Sequence, residues 1–101
     1  MTVTLQLPGV LAGYAGGRRE IEIAVPDAEA GDGAATTVAR VLDRLAGDLP
    51  ALERRIRDER SVIRRHVNVY VDGADIRSLS GAETRIADGA TIDVIPAISG
   101  G

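Results

Sequence analysis

Four stretches of this chain alternate apolar and polar residues with a period of two, and one stretch among them repeats with the period of a helix. A period of two sends successive side chains to opposite faces of a strand, so each such stretch carries one face that must be buried against another layer. TVTLQLP sets Val3, Leu5 and Leu7 against Thr2, Thr4 and Gln6, and REIEIAV sets Ile21, Ile23 and Val25 against Glu20 and Glu22. RHVNVYVDG is the strongest strand, with Val67, Val69 and Val71 on one face and Asn68 and Tyr70 on the other. TIDVIP turns Ile92 and Val94 inward and Ile95 outward, with Pro96 expected to stop the ladder. Val38, Val41, Leu42 and Leu45 fall at the i, i+3, i+4, i+7 spacing of an amphipathic helix. Together these segments predict an α+β domain, a mixed sheet of four to five strands packed on one main helix.

The connections follow from glycine, proline and capping residues. Pro8 and Gly9 end the first strand, and Gly13, Gly16 and Gly17 mark a loop that makes a hairpin with the second. That connector lacks the glycine spacing of a phosphate cradle, and a strand rather than a helix follows it. PDAEAGDGAA reads as an exposed acidic loop, after which Thr36 or Thr37 caps the main helix and Gly47 suits its end. PALERRIRDER predicts a short second helix with Pro50 in its first turn and Leu52 and Ile56 inward. Asp72 and Gly73 make a turn from which Ile76 pairs back in a short strand, and LSGAETRIADG is expected to be a loop closed by an Asp88–Gly89 turn.

With 101 residues the chain is sized for one domain, and about a dozen inward Val, Ile and Leu side chains at roughly 1.5 to 3 kcal/mol each supply its core. Phe and Trp are absent, and the two tyrosines fall in a loop (Tyr14) and on an outer strand face (Tyr70). Tyr70 reads equally as an ordinary strand tyrosine or as a partner contact. Zero Cys excludes a disulfide framework, a thiolate zinc site and a cysteine nucleophile. The single histidine, His66, stands at the head of a strand without a paired nucleophile and reads as a strand-edge residue, so neither a metal site nor free-standing catalysis is expected.

Twelve basic residues against 15 acidic ones give a formal net charge of -3, which argues against nucleic acid as a partner. Every basic residue is Arg. Six of them, Arg54, Arg55, Arg57, Arg60, Arg64 and Arg65, interleave with Glu53, Asp58 and Glu59. This run reads as a solvated helix and turn with local ion pairs, or more sharply as a docking patch for an acidic partner. No apolar run reaches membrane-span length and no signal-like segment follows Met1, so a cytoplasmic protein without membrane attachment is expected.

The chemistry points to the end of the chain. The segments divide into a body over residues 1–96 and a tail of five residues, Ala97, Ile98, Ser99, Gly100 and Gly101, which extends at most about 18 Å. At average glycine usage a terminal pair arises by chance with a probability of roughly 0.5%. Lacking Cβ atoms, the last two residues form a thin thread able to enter a narrow channel. Their carboxylate is anionic at neutral pH and a poor electrophile, so reaction requires activation. Adenylation by a separate ATP-using enzyme would make a mixed anhydride that a sulfur nucleophile could open, and the chain itself would need neither a catalytic residue nor a bound cofactor.

VNVYVDGADIR, IADGATIDVIPAISGG and the Leu7–Pro8 and Gly16–Gly17 pairs around the first connector resemble the ubiquitin-like sulfur carriers of the MoaD and ThiS family, most of all the CysO branch. The resemblance covers essentially the whole chain and implies a β-grasp fold. It implies that Gly101 is adenylated and thiocarboxylated by an E1-like enzyme, and that the sulfur passes to a synthase of the cysteine-synthase or thiazole-synthase kind. In the CysO-like case a metalloprotease then trims the product. The family also leaves open a molybdopterin synthase small subunit or a thiosugar or thioacid pathway. A ubiquitin-like modifier joined through Gly101, or a passive β-grasp interaction domain, would account for the same ending. The acidic segment from Asp27 to Ala35 and the ending ISGG are departures from the CysO pattern. Partners are expected to grip the tail (Ala97, Ile98, Ser99, Gly100) and the sheet face carrying Tyr70 and Ile95.

Overall fold

The computed structural model describes residues 1–25 and 35–96. Strands β1 (Thr2–Gln6) and β2 (Glu20–Ala24) form the expected antiparallel hairpin, with Val3 opposite Ile23 and Leu5 opposite Ile21. Their connector is a helical turn rather than a loop. Helix α1 (Gly9–Ala12) runs into a 3₁₀ turn over Gly13–Ala15, which buries Leu11, Ala12 and Ala15 under the hairpin. Gly16 and Gly17 then take φ of 67° and 87°, where a Cβ would be strained, and return the chain to β2.

The acidic loop expected over PDAEAGDGAA lies outside the described residues except for Ala35, which with the two cap candidates Thr36 and Thr37 forms strand β3 (Ala35–Thr37) and leads directly into helix α2 (Val38–Asp48). Thr37 is the cap: its Oγ1 accepts a hydrogen bond from the Arg40 backbone N–H at 3.2 Å. Thr37→Ala is therefore expected to cost about 1 kcal/mol, measured as a lower urea midpoint at unchanged slope. An unshifted midpoint would assign the cap no energetic role. Val38, Val41, Leu42 and Leu45 are buried as the spacing predicts, and Gly47 lies inside the last helical turn rather than after it. Helix α3 (Pro50–Ile56) follows, with Leu52 and Ile56 inward.

Strand β4 (Val67–Val71) turns through Asp72 and Gly73, at φ of 48° and 89°, into a two-residue strand β5 (Ala74–Asp75). Ile76, expected in that strand, instead starts a 3₁₀ turn (Ile76–Ser78) that buries it. The stretch expected to be loop contains β6 (Arg85–Ala87), which pairs with β3 in a separate two-stranded sheet. Strand β7 (Thr91–Pro96) completes the main sheet, and its register on β4 extends through Pro96, opposite Val67.

The main sheet has the order β2-β1-β7-β4-β5. β7 runs parallel to β1 and antiparallel to β4, so the strand that enters the tail occupies the middle of the sheet. The inner faces of β1, β2, β4 and β7 join α2, α3 and α1 in one aliphatic cluster. This is the ubiquitin-like β-grasp arrangement implied by the resemblance, with five strands in the principal sheet.

Candidate functional site

Residues 97–101 lie outside the described residues, so the site begins where they are delivered, at the end of β7. The last three residues of β7 register on β4 alone, because the pairing with β1 ends at Gln6 opposite Asp93. The outer face of the sheet borders that end. One row across it reads Glu20, Gln6, Asp93, Tyr70, Asp75, and the adjoining row places Asn68 beside Ile95. Tyr70 and Ile95 are diagonal neighbours on one face of adjacent antiparallel strands, within reach of an aromatic side chain. Ile95 is 48% exposed and Tyr70 half-buried, so the face keeps an accessible apolar spot next to the exit of the tail. Alternation alone had placed both residues outward, and the register brings them together.

The surroundings of that spot are charged in an ordered way. Arg77 donates through Nη2 to the Asn68 Oδ1 at 2.7 Å and to the Asp75 Oδ2 at 2.8 Å, closing the β5 edge. The side-chain hydrogen bonds from Arg77 hold the Asp75 carboxyl below its ordinary range, and the same contact raises Arg77. Asp75 is thereby kept ionised with its charge offset by Arg77, while Glu20, Glu22 and Asp93 leave the β2–β1–β7 side acidic. A partner lying across this face meets an apolar patch with negative charge on one flank.

The arginine run separates into roles that the sequence did not distinguish. Arg57 is buried, at 4% exposure, rather than solvated. It donates through Nε to Glu53 at 2.6 Å and through Nη2 to Asp43 at 2.9 Å, tying α3 to α2. Arg60 pairs with Asp58, and Arg55 lies over the Tyr14 ring, 4.8 Å from its centre, with a hydrogen bond to the phenol oxygen. His66 is exposed in the turn before β4. Among the described residues no cluster of His, Asp and Glu could hold a metal, and no helix is long and apolar enough to cross a membrane.

Comparison with known proteins gives a consistent set. The model of the ThiS family matches residues 14–101. The sulfur carrier protein CysO of Mycobacterium tuberculosis is 31% identical over 103 residues, covering 100% of both chains. A chain of the Amycolatopsis orientalis BexX/CysO complex superposes with a TM-score of 0.78 at 30% identity, over 98% of this chain and 99% of that one. SAMP1 from Haloferax volcanii, a small archaeal modifier protein, superposes with a TM-score of 0.78 at 28% identity over 100% of each.

Proposed function

The chain belongs to the ThiS family, and from that premise we propose that it is a sulfur carrier whose Gly101 is activated as an acyl adenylate and loaded as a thiocarboxylate. The observation that carries this reading is the full-length similarity to CysO together with a family match running through the terminal glycines. The Gly101 carboxylate oxygen attacks the α-phosphorus of ATP held by an E1-like enzyme, and pyrophosphate leaves. A sulfur nucleophile then attacks the carbonyl carbon, and the bond to the adenylate oxygen breaks with release of AMP. With sulfide as the nucleophile the terminus becomes a thiocarboxylate directly. The carrier acts as a co-substrate rather than an enzyme, in keeping with a relative named a sulfur carrier protein.

The sulfur acceptor is a synthase that admits the thread Ala97 to Gly101 and takes the terminal sulfur. The resemblance to the CysO branch favours a cysteine-synthase-like acceptor with a trimming metalloprotease and leaves a synthase of the thiazole-synthase kind as the alternative, and the similarity to a chain of the BexX/CysO complex fits a carrier that works bound to a partner. ATP belongs to the activating enzyme, and the carrier holds no cofactor of its own. Incubation with activating enzyme, ATP and sulfide tests the reading by intact mass: replacement of one terminal oxygen by sulfur is the expected product, and an unchanged mass overturns it.

The similarity to SAMP1 favours a second reading, conjugation through Gly101 to amines of other proteins. Peptide mapping separates the two, since a modifier leaves isopeptide adducts on lysines of target proteins. This chain contains no lysine and offers no side-chain acceptor for chains built on itself.

Partner docking is assigned to the outer face beside the tail exit. Tyr70→Ala, at a half-exposed position, is expected to leave the fold intact and to weaken association with the activating enzyme or the acceptor by about tenfold or more, as loss of an interface aromatic commonly does. Calorimetric titration checks it, and unchanged affinity for both partners removes Tyr70 from the interface.

A further inference from the structure

At the β4–β5 edge of the sheet a groove of about 390 Å³ opens between the 61–65 segment, the start of β4, β5 and the 3₁₀ turns that follow it. Its floor is aliphatic, formed by Val67, Val69 and Ile76, with Ile63 partly covered beside them. Val62 stands at its edge, 52% exposed. The Asp58 carboxylate fixes the bordering loop by accepting hydrogen bonds from the backbone N–H groups of Arg60 at 2.8 Å and Val62 at 3.1 Å. The groove is therefore a formed surface rather than a gap beside a loose strand.

Three arginines and one carboxylate line it. Arg77 and Asp75 cancel each other, as described above. Arg64 spends its Nε on the Arg54 carbonyl oxygen at 2.9 Å but has no carboxylate partner among the described residues, and Arg65 has neither a hydrogen bond nor an ion pair there. Two uncompensated guanidinium groups thus flank an aliphatic floor in a chain whose formal net charge is -3. Guanidinium groups hold carboxylates through paired hydrogen bonds, and an aliphatic floor is satisfied only by an apolar side chain. A volume at the low end of ligand clefts, about 300–1,000 Å³, suits one or two side chains rather than a cofactor.

We infer that this groove docks an acidic segment of a partner protein, which inserts one apolar side chain over Val67, Val69 and Ile76 and sets flanking carboxylates on Arg64 and Arg65. Its floor residues Val67 and Val69 lie on the face of β4 opposite Tyr70, while Asp75 and Arg77 at its rim border the outer face. Binding there does not depend on what Gly101 carries, so its test stands apart from the loading reaction.

The probe is a blocked pentapeptide with a central leucine and two aspartates on each side, titrated into the full ¹⁵N-labelled chain. Amide shifts are expected over residues 61–67 and 76–82, diminishing as salt is raised. The double variant Arg64→Glu, Arg65→Glu should weaken the titration about tenfold. Arg65→Gln, at an exposed position that the fold does not use, should weaken it about threefold. Absence of shifts, shifts confined to Tyr70 and Ile95, equal shifts with a lysine-flanked leucine peptide, or tighter binding of a single-stranded oligonucleotide would each overturn the assignment.

Discussion

A chain that ends at Gly100 melts like the full-length protein and accepts no detectable sulfur. The core of the described residues runs to Val94, and a terminal glycine has no side chain to bury, so loss of Gly101 is expected to leave the unfolding midpoint unchanged. The truncated chain still presents a glycine carboxylate, so its failure would come from position. One residue shortens the thread by about 3.5 Å, and an activating site aligned on the last carbonyl then meets Ser99 and Gly100 where it requires Gly100 and Gly101. Displacements of about 1 Å from the attack geometry commonly cost about 100-fold in rate, so a whole residue should take loading below detection. Gly101→Ala keeps the length but adds a methyl group at the carbon beside the reacting centre, and is expected to be slowed rather than abolished. Intact-mass analysis after incubation with activating enzyme, ATP and sulfide reads both variants. Sulfur loading of the truncated chain at the full-length rate would move the reactive group away from the terminus.

Most of the main sheet is legible in the sequence because its strands bury one face and leave the other to solvent, which imprints a period of two. Val3, Leu5 and Leu7, then Val67, Val69 and Val71, are buried as that period requires, and the Asp72–Gly73 turn carries its own signature in positive φ. The elements that escaped are short. A four-residue helix followed by a 3₁₀ turn completes too few turns to show a helical stripe, and its glycines suggest loop. Strands β3 and β6 have three residues each, and buried Thr36 and Ile86 are too little for alternation to reveal. Burial of Arg57 escaped for a different reason: its partners Glu53 and Asp43 come from two helices, and only their packing shows which member of a charge run is enclosed. At the candidate site, alternation fixed the face of Tyr70 and Ile95 but not their adjacency, which is a matter of register between β4 and β7. The groove beside Arg64 and Arg65 had no signal beyond the arginine run, since its floor is assembled from β4 and the turn at Ile76.

Ile92→Ala is expected to remove most of the stability of the domain. Ile92 is fully buried on the central strand, opposite Leu5 on β1 and Val71 on β4, so its side chain joins the two halves of the sheet to the helices. Truncating a buried Ile to Ala costs about 2–5 kcal/mol, more where neighbours cannot move in. Here they are poorly placed to do so. The cluster contains no Phe or Trp, and many of its members are Val and Ile, whose branched side chains have few rotamers with which to fill a void. The upper part of that range applies, against a total of about 5–15 kcal/mol for a domain. Urea unfolding followed by far-ultraviolet circular dichroism gives the measurement, since the chain has no tryptophan. Ile92→Val, at about 0.5–1.5 kcal/mol, supplies the control: it should keep full sulfur loading, whereas Ile92→Ala should lose loading in proportion to the unfolded fraction and recover it on cooling toward the temperature of maximum stability. A midpoint for Ile92→Ala matching that of Ile92→Val would show that the core does not close around β7, and the tail would then lack the rigid strand that presents it.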